Sequence, residues 1–306
     1  MRNEKVIQTI CRYIPMPLRK YIEELNESER NKINEIRFRV NRPVTVTKDG
    51  KQFFITQNRS LSRNASFGIV AGYDDLNHIL NAICSFSVHS YNRELSNGYI
   101  TVENGVRVGI AGSVADSDTS NLKYITSLNF RIPRQIKGCS DYIFNKYLSD
   151  KPKSILICGG VSSGKTTLLR DLCRNFGNSY TVSLIDERGE IAGCCNGVPE
   201  NEIGAFTDVY DGVSRERGII SSIRSLSPEI IVCDEIGSTD DSEAIMQGYG
   251  CGVKFAATAH GNSIEELMKR QCIGRLIEKN VFDIAVVLDG SENAGEIKEI
   301  RSLSNG

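Results

Sequence analysis

Lys165 and Thr166 close the segment Gly159-Gly160-Val161-Ser162-Ser163-Gly164, in which two glycines stand five apart ahead of Lys-Thr, the pattern of a phosphate-binding loop. Each part has a physical task. Glycines let the chain turn tightly and aim backbone N–H groups at a β-phosphate over a helix N-terminus. Lys165 reaches the β- and γ-phosphates and the Thr166 hydroxyl takes a Mg²⁺ position, with Thr167 continuing the loop into its helix. ATP and Mg²⁺ are the cofactors this implies. ATP chemistry also needs one carboxylate to hold Mg²⁺ through water and another to polarise the attacking water, and Asp234-Glu235, delivered by the apolar run Glu229-Ile-Ile-Val-Cys233, supplies both. A second acidic cluster, Asp186-Glu-Arg-Gly-Glu190, and a polar turn at His260-Gly-Asn262 each follow another apolar run.

The elements that must position these residues are legible around them. Ser154-Ile-Leu-Ile-Cys158, Tyr180–Ile185 and Glu229–Cys233 are short continuous apolar runs, suited to strands buried on both faces of a parallel sheet. Leu168, Leu169 and Leu172 give the segment after the loop an apolar helix face. Strands alternating with helices predict an α/β domain over 151–306, in which ligands collect at the carboxyl ends of the strands. Ser149-Asp-Lys-Pro-Lys153 has the composition of a linker and predicts a boundary there, leaving 1–150 as a smaller N-terminal α+β domain. In that half Glu35-Ile-Arg-Phe-Arg-Val40 alternates, with Ile36, Phe38 and Val40 on one face and Arg37 and Arg39 on the other. Lys48-Asp-Gly-Lys51 and Glu103-Asn-Gly105 predict hairpin turns between flanking strands. Leu76, Ile79, Leu80 and Ile83 are spaced helically behind a cap at Asp74 or Asp75, and Asp116–Asn121 reads as a polar loop.

The 306 residues carry 37 Lys+Arg against 38 Asp+Glu, a net charge of −1, which excludes a protein whose whole surface traps polyanions. The halves differ: residues 1–150 have a balance of +6 and residues 151–306 a balance of −7. No apolar run approaches the roughly 18 residues of a membrane span and the N-terminus lacks a signal-peptide core, so a cytoplasmic protein is expected, with its ten cysteines as reduced thiols rather than disulfides or a zinc site.

The order of these motifs resembles that of the type II/type IV secretion ATPases of the RecA-like P-loop superfamily: Walker A at 159–166, an acidic box at 186–190, Walker B at 228–235 and a histidine after the next strand. The resemblance covers the second half. In the first half, Glu35–Pro43, Asn97–Thr101, Gly105–Gly112 and Phe130–Arg134 look like the sporulation members of that superfamily. It implies an ATP-hydrolysing hexameric ring, peripheral to a membrane, in which a RecA-like domain works against the N-terminal domain and energises the channel proteins between mother cell and forespore. It further implies Glu190 as the acidic-box base, Glu235 as the Walker B acid and His260 as a γ-phosphate sensor. Asp234 stands where the secretion ATPases usually have glycine. It could take a Mg²⁺-linked role beside Thr166, leaving Glu190, then Glu235, as base.

Charge spreading over the γ-phosphoryl oxygens also calls for arginine. Arg107, Arg131 and Arg134 match positions from which N-terminal domains of the family reach toward nucleotide, and each could equally be a solvated surface charge. Two other readings stay open: a nucleotide-switched scaffold without productive turnover, and a nucleic-acid binder or translocase using the basic half, for which no aromatic-interleaved basic run speaks.

Overall fold

The computed structural model describes residues 2–87, 91–96, 98–114, 122–133, 135–290 and 294–303, and the chain divides into two units, Met1–Arg134 and Gln135–Gly306. The polar loop at 116–121 and Arg134 lie outside the described residues.

In the first unit, helices α1 (Arg2–Tyr13), α2 (Leu18–Glu23) and α3 (Glu27–Arg30) precede β1 (Ile33–Arg39), β2 (Arg42–Pro43), β3 (Thr45–Lys48), β4 (Lys51–Ile55), β5 (Leu61–Ser62) and β6 (Val70–Ala71). Then come α4 (Tyr73–Ile83), α5 (Asn92–Ser96), β7 (Tyr99–Val102), β8 (Val106–Val114) and β9 (Leu122–Arg131). Seven strands form an antiparallel sheet in the order β5-β4-β3-β1-β9-β8-β7, and β2 pairs with β6 apart from it. The alternation of β1 sets its faces: Ile36 and Phe38 are fully buried, Phe38 meeting Phe130 edge to face at 6.0 Å, whereas Arg37 and Arg39 point the other way. Leu76, Ile79 and Ile83 of α4 and Val6, Ile7 and Ile10 of α1 join the same core. The β3–β4 turn pairs Lys48 with Lys51 and carries φ of 49° at Asp49 and 73° at Gly50, the primed turn that matches strand twist. The α4 cap differs from expectation. Asp75 is the third helical residue and its carboxylate accepts the Gly72 N–H at 2.8 Å, so Gly72 holds the cap position.

The second unit begins earlier than the linker-like 149–153 segment. A short α6 (Asp141–Ile143) runs into a π turn at Phe144–Leu148, and Ile143 and Leu148 are fully buried in the core that holds Leu172 and Phe176. Phe144 packs edge to face on Phe176 at 5.7 Å, and Ser140 donates its N–H and hydroxyl to Asp171 at 2.8 and 2.7 Å. Residues 135–150 therefore belong with the second unit. That segment carries Lys137, Lys146, Asp141 and Asp150, so the shift of boundary leaves the charge balances unchanged.

The rest comprises β10 (Ile155–Gly159), α7 (Lys165–Phe176), β11 (Val182–Asp186), β12 (Thr207–Asp211), α8 (Arg215–Ser225), β13 (Ile230–Cys233), α9 (Thr239–Gly250), β14 (Lys254–His260), α10 (Ile264–Met268), α11 (Gln271–Glu278), β15 (Ile284–Leu288) and β16 (Ile297–Ser302). The sheet order is β12-β11-β13-β14-β10-β15-β16, parallel throughout except for β16, which runs antiparallel at the edge. β10, β11, β13 and β15 are buried along their whole length, which is why they read as unbroken apolar runs. No helix among the described residues is long and apolar enough to cross a membrane.

Candidate nucleotide site

Because β10, β11, β13 and β14 are parallel, their carboxyl ends place the P-loop, the acidic box, Asp234-Glu235 and His260 at one edge of the sheet. Gly159 pairs with His260 in the β10–β14 register, and Ile185 with Cys233 in the β11–β13 register, one residue before Asp186 and Asp234 respectively.

The loop itself is held from within and from behind. The buried Ser163 donates its hydroxyl to Gly160 O at 2.9 Å, and a Cβ on Gly159 would overlap that hydroxyl. Gly164 has φ of 97°, and a Cβ there would lie 2.9 Å from the Gly295 nitrogen. Gly295 in turn donates to Ser163 O at 2.8 Å, so the β15–β16 connection supports the loop. Lys165 Nζ lies on the loop carbonyls, 3.0 Å from Gly159 O and 2.6 Å from Gly160 O. Burial pulls its ammonium below the ordinary lysine range while Asp234 and Glu235 pull it back up.

Thr166 Oγ1 donates to Asp234 Oδ2 at 2.8 Å, and the other Asp234 oxygen accepts the Thr258 hydroxyl. Thr258 Oγ1 also accepts the Glu235 N–H at 2.7 Å. Glu235 has φ of 55°, a left-handed conformation that costs a non-glycine residue of order 1–3 kcal/mol, and its carboxylate is ion-paired with Arg188. Glu190, Asp234 and Glu235 line one small cleft with Arg188 and Arg215. The sequence-selected carboxylates thus come together, with Thr166 beside them. A hydroxyl and a carboxylate at hydrogen-bond distance, with further oxygens supplied by phosphate and water, are a donor set that suits Mg²⁺, which is rarely held by an all-protein cage. The residues present fit Mg·ATP.

Asp186 plays a different part from the one its neighbours suggest. It is buried, and its two oxygens accept the N–H groups of Glu190, Ile191 and Ala192 at 2.8, 3.1 and 2.8 Å, which fixes the turn that carries Glu190. Burial raises its carboxyl above the usual range, against those three bonds. Glu187 is likewise engaged, by Arg215, whose Nε also lies 3.1 Å from Asp241. Asp186 and Glu187 are thus held by backbone N–H groups and by Arg215 respectively. Arg215 and Thr258 are the site residues that sequence reasoning missed; a lone threonine in the apolar strand Phe255-Ala-Ala-Thr-Ala was the available signal for the second.

His260 is exposed at the end of β14, with Gly261 donating to Gly159 O at 3.3 Å. In the first unit, Arg107 pairs with Arg131 in the β8–β9 register and Arg131 with Glu35 in the β1–β9 register. The Arg107 guanidinium stacks 3.9 Å over the Tyr99 ring, and Arg131 Nε lies 3.8 Å from Glu35.

A P-loop opening a helix after β10, with acids at the ends of β11 and β13, defines the second unit as a RecA-like P-loop NTPase fold, and the first unit is a smaller α+β fold. Similar solved structures are the Legionella pneumophila ATPase DotB, with a TM-score of 0.55 at 16% identity over 83% of this chain and 71% of that one, and the pilus retraction motor PilT with bound ADP, with a TM-score of 0.57 at 14% identity over 83% and 74%. The chain belongs to the family "Sporulation stage III, protein AA", whose model matches residues 3–304. It is 33% identical over 299 residues to Stage III sporulation protein AA of Bacillus subtilis (strain 168), a match covering 95% of this chain and 94% of that protein.

Proposed function

We propose that the second unit binds Mg·ATP on the 159–167 loop and hydrolyses it, and that turnover powers a ring of copies of this chain. The observation that carries the reading is the Thr166–Asp234–Thr258 arrangement beside Glu190 and Glu235 at the carboxyl edge of the sheet. In it Lys165 and the loop N–H groups would hold the phosphates and Thr166 and Asp234 would hold Mg²⁺, which would neutralise phosphate charge. Glu190, and after it Glu235, takes the proton of the attacking water, with His260 sensing the γ-phosphate. Arg107, Arg131 or Arg134 stabilises the spreading charge from the N-terminal unit of the same or a neighbouring copy. Membership of the sporulation family supports a place beneath the channel proteins between mother cell and forespore, at the cytoplasmic face, and likeness in fold to secretion motors supports a hexamer.

The test is direct. Lys165→Ala abolishes ATP binding and phosphate release, whereas Glu190→Gln or Glu235→Gln binds ATP and turns it over at least ~100-fold more slowly, by the weight general-base catalysis carries. Hydrolysis by the Lys165 variant at the parent's rate sinks the proposal.

One observation favours a second reading. Arg188 occupies the Glu235 carboxylate, as it would in a nucleotide-switched scaffold whose acid is not free for chemistry. Phosphate release under single-turnover conditions separates the two, since a scaffold releases none.

A further inference from the structure

At the opposite edge of the second unit's sheet, where β10, β14 and β15 begin, lies a cavity of about 340 Å³ that the nucleotide chemistry does not use. Its lining is mixed: Pro152, Ile284, Ile300 and Tyr147 contribute apolar surface beside Ser302, Lys151, Lys153 and Lys254. The one carboxylate in the lining, Asp283, is already engaged. It accepts the Lys254 ammonium at 3.2 Å and the Ser154 N–H at 2.7 Å, which neutralises Lys254 and fixes Asp283 against the start of β10. Among the described residues Lys151 and Lys153 make no ion pair, so the lining carries an excess of two positive charges.

Two ammonium groups without an ion pair in a partly apolar recess of this size suit an anion with a hydrophobic body. Lysine ammonium is a compact point charge that binds phosphate well, and cavities from roughly 300 Å³ upward accommodate small ligands. We propose that this cavity is a second binding site of the chain, taking an organic phosphate with its phosphate group on Lys151 and Lys153 and its apolar part against Ile284, Ile300 and the Tyr147 ring. The five residues of β10 separate it from the P-loop by about 16 Å at the usual rise of roughly 3.3 Å per residue, so the two sites are distinct. The phosphate could be carried by a soluble metabolite or by a lipid headgroup, which present the same chemistry to these lysines.

The experiment uses the full chain with Lys165→Ala, to remove phosphate binding at the P-loop, and titrates phenyl phosphate by calorimetry. Phenyl phosphate binds the Lys165→Ala protein, inorganic phosphate binds it more weakly, and adding Lys151→Gln and Lys153→Gln weakens phenyl phosphate at least ~10-fold, the loss of about one charge-assisted contact. Ile300→Ala, which trims the apolar wall alone, weakens phenyl phosphate and leaves inorganic phosphate unchanged. A parallel sedimentation assay compares phosphatidylglycerol–phosphatidylcholine vesicles with pure phosphatidylcholine. Lysine-dependent binding of the mixed vesicles without phenyl phosphate binding assigns the site to a lipid headgroup, and the converse to a soluble phosphate. If neither probe binds, or if binding survives the paired lysine substitutions, the proposal is overturned.

Discussion

Thr166 Oγ1 and Asp234 Oδ2 stand 2.8 Å apart, joining the first turn of α7 to the carboxyl end of β13. A hydroxyl from the P-loop after β10 and a carboxylate from a strand two places away in the sheet thus meet, although one is 68 residues from the other in the chain.

Asp234→Asn keeps the hydrogen bond from Thr166 and removes the charge. The Mg²⁺ concentration for half-maximal ATP hydrolysis should rise at least ~10-fold, with nucleotide binding in the absence of metal little changed, because a carboxylate is a far better ligand for a hard cation than an amide. A Mg²⁺ titration of activity checks this, and an unchanged midpoint removes Asp234 from the metal.

Arg188→Ala releases the Glu235 carboxylate from its ion pair. Turnover should increase several-fold while the Mg²⁺ requirement stays put, since the pair is more than half exposed on the arginine side and its loss costs the fold at most ~1 kcal/mol. A large fall in steady-state rate instead would place Arg188 on the phosphates.

Asp186→Asn acts on the fold. Replacing one buried carboxylate oxygen by an amide nitrogen opposes at least one of its three backbone donors, at a cost of about 3 kcal/mol. In a unit of this size that lowers Tm by roughly 6–12 °C, measurable by calorimetry. An unshifted Tm with lost hydrolysis would return Asp186 to the chemistry.

Asp241 gives the acid side of the stability curve a definite sign. Burial raises its carboxyl, but the Ser238 N–H, Arg215 and the Gly237 N–H outweigh that and hold it below its ordinary value. A depressed carboxyl stabilises the fold fully above about pH 4 and loses that contribution as pH falls through the lowered folded value. Asp241→Asn should therefore be less stable than the parent by about 2 kcal/mol near neutrality, with the gap narrowing as pH falls below about 4. Urea denaturation at pH 7 and pH 3 measures the gap.

The division of the chain makes a prediction about fragments. Residues 135–306 retain Ile143 and Leu148 and should fold cooperatively. Residues 151–306 strip both from the core of the second unit and lose Ser140 from Asp171, and should show exposed apolar surface by dye binding.

That boundary shows what local composition conceals. Ser149-Asp-Lys-Pro-Lys153 looks the same whether it links two domains or turns within one, and only the burial of Ile143 and Leu148 decides. The buried parallel strands were legible because both faces are covered and the apolar run is continuous. Strand β9 was not, because its pairing with β8 shifts register between Ala111 and Gly112, so that Ile125 and Leu128 both face the core with two residues between them and the period of two is broken. The P-loop pattern and the Asp234-Glu235 pair were legible as plain residue types. Asp186 carried the same type to a different end, since a carboxylate at a strand terminus looks alike whether it faces solvent or three backbone N–H groups.

The contact between Gly164 and Gly295 has a consequence for how the molecule is made. The phosphate loop leaves the ribosome roughly 130 residues before the segment that braces it, and the two strands flanking β10 in the sheet, β14 and β15, also come later. A nascent chain therefore displays the motif long before it can hold it in shape. The loop can take up its braced shape only after Gly295 has been made, by which time the first unit, earlier in the chain, has had time to fold.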